Sequence, residues 1–383
     1  MKKNLTLGLS AGLILPRHVS RQTGTYQISD LRANYMSIYD FGLGNALAVV
    51  VQQMQTYNAV LNSSLLALTE TTTERSEASP AAISRGMSKV DEFGQVRTQK
   101  SGRSYIRGFP LDRYQDATGW TEDFWARASV ADMMVMTDSV QLGHTNNVRS
   151  ALADALYNPI QRVLTEYVDP ALGYQILDNL FIKPLYNADG EIPSVGPAGQ
   201  SFDGTHNHYL FSNGLSSSDL EALTNTVGEH TTGNSLVIYC NVVDASKFRA
   251  MTGFVPAVVS QVTPATTVAS TTVPLDVSRT DDKFIGYTAS GIPVYIKPWA
   301  LQNYALCINL TGPRAIKRRV SSIPLLRGLR IKGESGEVTL FSRYWEDNFG
   351  FGISNRAGAA VLYFATGAVA YVAPASASQY GLN

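Results

Sequence analysis

Charged side chains are scarce in this chain. Only 16% of its 383 residues are Asp, Glu, Lys or Arg, against roughly 25% in ordinary soluble domains. The 31 basic and 31 acidic residues cancel, so no overall charge attracts the chain to nucleic acid or to an anionic membrane. Few charges together with 44% hydrophobic residues favour a protein whose surface is covered by neighbouring subunits.

Cysteine is almost absent. Cys240 and Cys307 both lie in apolar, strand-like runs, "LVIYCNV" and "YALCINL", where a free cysteine behaves as a small buried hydrophobe. We therefore expect a reducing compartment. The sequence has no CxxC motif and no array of Cys and His, which argues against a structural zinc site of the common kinds.

Long apolar runs are also missing. No segment reaches the roughly 18 apolar residues that a membrane helix needs. The first residues, "MKKNLTLGLSAGLILP", imitate a signal peptide, but Gly8, Ser10 and Gly12 dilute the apolar stretch and no small-residue cleavage site follows. We therefore expect neither a membrane span nor secretion.

Enzyme signatures are lacking as well. There is no GxSxG elbow, no Walker loop and no HExxH motif, and the paired glycines of "FGLG" and "FGFG" do not complete GxGxxG. We predict no catalytic residue, no cofactor and no enzyme activity. "DGTHNHY" presents Asp203, His206 and His208, and His-x-His on a strand directs both imidazoles the same way. Since the sequence implies no further ligand, we interpret these residues as a solvated loop rather than a metal site.

Periodicity predicts two long helices. Apolar residues step by three and four from Leu47 to Leu68, and the polar run that follows, ending at Pro80, is typical of a solvated linker. A second helix is predicted over 145–164, with Thr145 or Asn146 as its cap and Pro159 bending or ending it. Between them, glycines punctuate residues 84–127, which we interpret as a long hairpin that lacks a core of its own and docks on another surface. An ordinary exposed loop is the alternative.

The second half of the chain mixes short helices and strands. Capping chemistry predicts helices in "SSSDLEALTNTV" and "DASKFRAMTG", and β-branched runs predict strands in "NSLVIYCNV" and "GIPVYIKPWALQNYALCINL". The stretch "VTPATTVASTTVPLDV" fits either edge strands or a disordered loop. Three or four strands are predicted from Val338 to Pro374. The fold class is therefore α+β.

One basic stretch has no acidic residue within it. Its members are Arg314, Lys317, Arg318, Arg319, Arg327, Arg330 and Lys332. Lysine and arginine supply the sequence-independent part of nucleic-acid binding, but the lack of interleaved aromatics argues against base stacking. A positive face that meets an acidic neighbour and a solvated loop are the alternatives.

The segment "FGFGISNRAGAAVLYF" near the C-terminus admits a ligand-holding loop, a membrane-facing hairpin or a strand pair that packs subunits together. The missing cofactor motifs weaken the first interpretation. The predicted helices weaken the second, because a barrel needs alternating segments throughout. Assembly is the interpretation left.

The order of these parts resembles the major capsid proteins of tailed bacteriophages, the Hong Kong 97-like fold family. The features that carry the resemblance are the N-terminal arm and helix, the glycine-punctuated hairpin, the helix at 145–164, "SLVIYCNVVDASKFRAM", "GYTASGIPVYI" and "NFGFGISNRAGAAVLYF". Together they cover nearly the whole chain.

The resemblance implies a domain plan. It assigns 1–83 to the N-terminal arm and helix, 84–127 to the extended E-loop, 128–187 to the peripheral domain with its spine helix, 188–319 to the apical domain, and 320–383 to the closing strands of the peripheral domain. The E-loop would lie on an adjacent subunit, with Arg97, Lys100, Arg103 and Arg107 as candidate contacts.

The resemblance also implies a function and partners. The chain would assemble with itself, through pentamers and hexamers, into an icosahedral virion shell. Assembly would take place in the host cytoplasm. The shell would enclose double-stranded DNA and contact it non-specifically. A separate scaffolding protein, a portal and a decoration protein are candidate partners. The alternatives are an encapsulin-like compartment, a secreted or outer-membrane β-rich adhesin, and a hydrolase with a site around Asp203, His206 and His208.

Overall fold

A computed structural model describes residues 36–79, 92, 94, 105–168, 176–231, 235–257, 283–337 and 340–374. The chain folds into two compact units, each assembled from three stretches of sequence. Unit 1 comprises Met1–Ser63, Asp112–Val148 and Ser321–Phe349, and unit 2 comprises Ser64–Leu111, Arg149–Val320 and Gly350–Asn383. The described parts contain both helices and sheets, as the sequence predicted.

The helices that contribute to unit 1 are α1 (Ile38–Phe41), α2 (Leu43–Leu66), α3 (Glu122–Arg127) and α4 (Val130–Tyr157). Its strands are β4 (Asp112–Thr121), β14 (Arg330–Glu337) and most of β15 (Leu340–Ile353). β15 pairs antiparallel with both β4 and β14. The core between helices and strands buries Trp120, Trp125 and Trp345 with Met133 and Met134, so large flexible side chains fill this unit.

A seven-stranded sheet organises unit 2, in the order β7-β16-β12-β8-β11-β10-β9. Its strands are β7 (Tyr209–Phe211), β8 (Leu236–Cys240), β9 (Val255–Pro256), β10 (Lys283–Tyr287), β11 (Pro293–Ile296), β12 (Tyr304–Asn309) and β16 (Ala359–Tyr363). Two helices, α5 (Ser217–Gly228) and α6 (Ala245–Arg249), contribute Leu220, Leu223 and Phe248 to the core on this sheet. The interior strand β12 is buried at every position, as its largely apolar sequence predicts.

Capping chemistry fixes the start of α5. The Ser216 side chain accepts a hydrogen bond from the backbone N–H of Asp219, and Asp219 accepts from the backbone N–H of Ser216. This is the reciprocal box that the Ser/Asp pattern predicts. Cys240 and Cys307 are free and buried in the sheet, which confirms their predicted role as small hydrophobes.

Further strand pairings complete unit 2. β1 (Thr69–Thr72) runs parallel to β13 (Ile316–Val320), β2 (Ser76–Ser79) pairs antiparallel with β3 (Tyr105–Gly108), and β5 (Arg162–Val168) pairs antiparallel with β6 (Ile176–Ile182). β1 and β2 occupy the polar run that was expected to be a linker. That expectation was wrong because pairing with distant strands, which a local pattern does not reveal, orders these residues.

The described part of 84–127 is not a self-paired hairpin. β3 pairs with β2, β4 pairs with β15, and the segment ends in helix α3. Because β2 and β3 are antiparallel neighbours, Ser79 and Tyr105, the residues on either side of 80–104, lie opposite each other. Arg97, Lys100 and Arg103 fall outside the described residues, as does the undecided stretch "VTPATTVASTTVPLDV".

Two other expectations need correction. The helix predicted to begin near Thr145 begins at Val130, where Ser129 and Asp132 exchange hydrogen bonds as a cap. The glycine and histidine in the middle of the helix hid its period. The region from Val338 to Pro374 has two strands in its described part rather than three or four, since β15 alone is 14 residues long.

The glycines of "FGFG" serve close backbone approach. A side chain at Gly350 or Gly352 would meet the backbone oxygen of Pro110 or Gly108 at 2.3 and 2.8 Å, respectively. β15 therefore needs glycine here to lie against the segment after β3. Within the described residues, no helix is both long and apolar enough to cross a membrane.

Candidate functional site

Arg356, in the turn between β15 and β16, is completely buried in unit 2. Its Nε–H donates to the Pro184 carbonyl oxygen at 2.8 Å. One terminal nitrogen donates to Asp189 and to Glu191, at 3.2 and 2.6 Å. The other donates to the Leu185 carbonyl oxygen and the Asn187 side chain, both at 3.0 Å. All five donors of the guanidinium thus have oxygen acceptors.

Two further basic side chains contact the carboxylates that bind this guanidinium. Lys183 lies 2.8 Å from the Asp189 carboxylate, and Arg107 lies 3.6 Å from the Glu191 carboxylate. Burial raises the pKa of Asp189, but hydrogen bonds from Lys183 and Arg356 outweigh it, so the pKa lies below its ordinary value. The network joins the segment 183–191 to the turn after β15. Removing either its basic side chains or its carboxylates would leave buried charges of the other sign without partners.

Three histidines converge beside this network, also within unit 2. The Nε2 atoms of His206 and His208 are 3.0 Å apart, those of His206 and His230 are 2.9 Å apart, and those of His208 and His230 are 3.1 Å apart. We call His206, His208 and His230 the histidine cluster. The alternation of the His-x-His segment directs two rings to one side, as predicted.

Hydrogen bonds to backbone carbonyls hold two of the three histidines, and two aromatic rings border the cluster. His208 directly precedes β7, and its Nδ1 lies 2.6 Å from the Ala359 carbonyl oxygen at the start of β16. His230 follows the C-terminal end of α5, where its backbone N–H donates to the Val227 carbonyl oxygen. The rings of Phe202 and Tyr186 border the cluster, with Phe202 4.4 Å from His230 between centroids.

Burial favours the neutral form of all three imidazoles. It lowers the pKa of His208 well below its ordinary value and that of His230 to about 4, and it lowers the pKa of His206 as well. Glu229 lies at the rim, with a carboxylate oxygen 3.4 Å from His206 Nε2 and 3.8 Å from His230 Nε2. Burial raises the pKa of this carboxyl.

Asp203 does not join the histidines with which the sequence grouped it. Its carboxylate accepts hydrogen bonds from the Thr205 hydroxyl and backbone N–H, at 2.6 and 2.9 Å, and these bonds lower its pKa. His230 and Glu229 take its place near the cluster. Sequence reasoning missed both because they lie beyond helix α5, and a lone "EH" pair carries no recognisable spacing.

The basic stretch 314–332 does not form one free cationic face. The structure divides it between the two units. In unit 2, Lys317 pairs with Glu70 and Glu77, and Arg318 is buried. In unit 1, Arg330 and Lys332 both pair with Glu346.

The remaining members of that stretch contact backbone oxygens. Arg314 donates to the Leu310 carbonyl, Arg319 donates to the Phe109 carbonyl, and Arg327 donates to the Ser321 and Ser322 carbonyls. Arg107, a candidate for contact between subunits, donates to the Ser354 carbonyl within its own chain. Intrachain partners thus account for side chains that the sequence offered to other molecules.

Comparisons with known proteins come from structure alone, since neither a protein-family model nor a curated protein matches this sequence. A chain of Mycobacterium phage Patience is 20% identical, with a TM-score of 0.63 over 92% of this chain and 96% of that chain. A chain from the capsid of the native GTA particle is 11% identical, with a TM-score of 0.46 over 79% of this chain and 90% of that chain. The holo-SrpI encapsulin complex of Synechococcus elongatus contains a chain 12% identical, with a TM-score of 0.41 over 80% of this chain and 89% of that chain.

The last two TM-scores are too low to carry an argument, so the first comparison alone assigns the fold. Its alignment extends through both units and leaves little of either chain unmatched. Along nearly its whole length, therefore, this chain shares the mixed helix and sheet fold of that Mycobacterium phage chain.

Proposed function

We propose that this chain is the major capsid protein of a tailed phage. The observation that carries the proposal is the shared fold with the Mycobacterium phage chain over 92% of this chain. The subunits would assemble through pentamers and hexamers into an icosahedral shell around double-stranded DNA. Assembly would take place in the host cytoplasm, with a separate scaffolding protein, a portal and a decoration protein as further partners.

Exposed apolar side chains support self-assembly. Leu325 is 88% exposed, Val369 is 87% exposed and Val242 is 65% exposed. The chain as a whole carries few charges. Burial of apolar side chains between copies is the main favourable term in association. Heterologous contacts of this kind close into rings when the rotation between subunits fits a five-fold or six-fold axis.

The residues between β2 and β3 are the proposed arm that reaches a neighbouring subunit. The pairing of β2 with β3 supports this assignment, because Ser79 and Tyr105, which flank residues 80–104, lie opposite each other. Arg97, Lys100 and Arg103 are the proposed charged contacts, each contributing about 0 to 1 kcal/mol at an exposed rim. Arg107 is the weakest candidate, since it already bonds Ser354 and faces Glu191 in its own chain.

DNA contact would be weak and independent of sequence. Among the basic candidates, Arg314 and Arg327 make their described hydrogen bonds to backbone carbonyls, which leaves their positive charge for phosphate. Lys317, Arg330 and Lys332 instead face carboxylates of their own chain. We therefore assign the phosphate contacts to the first two residues.

The decisive experiment is assembly of the full chain. We expect rings, sheets or shells by sedimentation velocity and negative-stain electron microscopy, either from the chain alone or from co-expression with the neighbouring genes of its source genome. Shells that hold DNA would support the phage capsid, and shells that hold a protein cargo would support an encapsulin-like compartment instead. A chain that stays monomeric under both conditions would contradict the proposal.

Deletion of Arg97 to Arg107 tests the arm. Tyr105–Arg107 belong to β3, so the shorter deletion of 97–103 is the cleaner variant. We expect it to leave the circular dichroism spectrum unchanged and to abolish closed shells. The triple substitution of Arg97, Lys100 and Arg103 by Ala should weaken assembly less. Normal shells from the deletion variant would remove the docking role.

A further inference from the structure

We propose that His206, His208 and His230 bind one divalent transition-metal ion of the zinc class through their Nε2 atoms, with Glu229 as the fourth ligand. This site is separate from the proposed shell contacts and does not depend on them. Its evidence is the convergence of three ring nitrogens within about 3 Å of one another, a carbonyl oxygen that sets one tautomer, and a carboxylate oxygen within 3.8 Å of two of the three nitrogens.

Hydrogen bonding alone does not satisfy the cluster. A neutral imidazole has one N–H donor and one lone pair, and each lone pair accepts along one direction in the ring plane. The Ala359 carbonyl can only accept, so His208 Nδ1 carries the proton and His208 Nε2 presents its lone pair. Among three mutually close Nε2 atoms, any assignment of protons gives at most one linear N–H···N bond, which leaves two short contacts unexplained.

A metal ion would satisfy all three contacts at once. Zn–N distances of about 2.0–2.1 Å in tetrahedral geometry place ligand nitrogens about 3.3 Å apart. The observed separations are 2.9–3.1 Å, so each pair needs to open by only about 0.3 Å to receive the ion. Neutral imidazole is a preferred ligand for zinc, copper, iron and nickel, and the tetrahedral arrangement favours zinc.

Glu229 is the residue placed to complete the coordination. Its carboxylate oxygen lies 3.4 Å from His206 Nε2 and 3.8 Å from His230 Nε2, close to the ligand spacing just given. Asp203, the nearer carboxylate in sequence to the His-x-His segment, is held by Thr205 instead. Three neutral rings and one carboxylate leave the site with a single positive charge.

The surroundings indicate a structural site. His208 is fully buried and the His230 side chain is 4% exposed, and the His208 Nδ1–H bond to Ala359 is the outer contact that orients a metal-bound imidazole. The ion would join the loop before β7, the end of α5 and, through Ala359, the start of β16. It would therefore fasten a helix and a loop to the edge region of the seven-stranded sheet.

Metal content of the full-length protein tests the site. The protein is stripped with a chelator, equilibrated with Zn²⁺ and separated from free ion, and the bound metal is measured by mass spectrometry for the wild type and for His206→Ala, His230→Ala, Glu229→Gln and Asp203→Asn. Competition with a chromophoric chelator gives the affinities. Co²⁺ is bound in parallel, because the intensity of its visible absorption distinguishes tetrahedral sites from octahedral ones.

We expect about one ion per subunit in the wild type and in Asp203→Asn, with a tetrahedral Co²⁺ spectrum. Loss of His206 or His230 should weaken binding by more than about 100-fold, since loss of an outer-sphere partner alone costs about 10- to 100-fold. Glu229→Gln should weaken it by a smaller factor. Wild-type affinity in Glu229→Gln would overturn the assignment of the fourth ligand.

Two results would overturn the site itself. One is an equal Zn²⁺ content per subunit in the wild type and in the folded His206→Ala variant. That result would mean that the wild type binds Zn²⁺ only non-specifically. The other is an octahedral Co²⁺ spectrum in the wild type, which stays decisive even if both histidine variants fail to fold. Neither measurement depends on shell formation, so failure of the capsid proposal and failure of the metal proposal are separable.

Discussion

Two buried polar clusters meet at Tyr186, and they are satisfied in opposite ways. Arg356 faces five oxygen acceptors, and its guanidinium lies 4.7 Å from the centre of the Tyr186 ring. The His208 ring of the histidine cluster lies 5.6 Å from the centre of the same Tyr186 ring. In this cluster the ring nitrogens contact one another rather than oxygen acceptors. Complementary partners make the first cluster complete within the chain. The second is complete only with a ligand.

His144, in unit 1, is the useful reference for a buried histidine. Its Nε2 lies 2.9 Å from the Asp347 carboxylate and its Nδ1 lies 2.7 Å from the Tyr57 hydroxyl. Oxygen partners on both ring nitrogens satisfy it without a metal. The type of partner, rather than burial itself, therefore separates a structural histidine from a ligand.

The largest expected effect is the loss of Arg356. Arg356→Ala removes the closer of the two basic partners of Glu191, which is 4% exposed, and breaking a buried ion pair on one side costs about 3–5 kcal/mol. Urea unfolding followed by circular dichroism measures the loss. Arg314→Ala, whose side chain bonds a single carbonyl, should cost about 1 kcal/mol or less. Equal losses would mean that the buried network is not what stabilises this region.

Metal removal should have the next largest effect. A ligand present at 100 times its dissociation constant stabilises the folded state by about 2.7 kcal/mol. Chelation should lower the free energy of unfolding of the wild type by about that amount and leave His206→Ala unchanged. A chelator that destabilises both proteins equally would show that its effect lies elsewhere.

A smaller effect is expected at the reference histidine. Tyr57→Phe removes the hydroxyl that contacts His144, Thr145 and the Gln141 carbonyl. The expected cost is about 1 kcal/mol, the usual contribution of a buried hydrogen bond, with no change in bound metal. Altered zinc content in this variant would argue against the contrast drawn between His144 and the cluster.

The smallest effect concerns acid stability beside Arg356. Hydrogen bonds from Lys183 and Arg356 hold the pKa of Asp189 below its ordinary value of 3.8 despite burial. A depressed carboxyl pKa stabilises the folded state above the unfolded pKa, and that contribution is lost as pH falls through the folded value. The stability difference between wild type and Asp189→Asn should therefore shrink from about pH 5 to about pH 3. A constant difference would exclude titration of Asp189 as the cause.

Much of unit 2 was predictable because its signals are local. The Ser216–Asp219 box, the β-branched run of β8 and the apolar run of β12 each specify an element from adjacent residues. The start of α4 and the strands β1 and β2 were not predicted. A long helix interrupted by Gly143 and His144 loses its apparent period, and polar strands are defined by the partners with which they pair.

The sequence by itself determined the fold class, the capped start of α5, the buried cysteines and the pairing of His206 with His208 on one side of a short segment. Only the tertiary structure decided what those residues meet. Arg356 reaches acceptors 165 to 172 positions away, and His230 joins His206 across 24 positions. The reason is physical: periodicity and capping act within a few residues, whereas convergence of distant polar groups follows from how the elements pack.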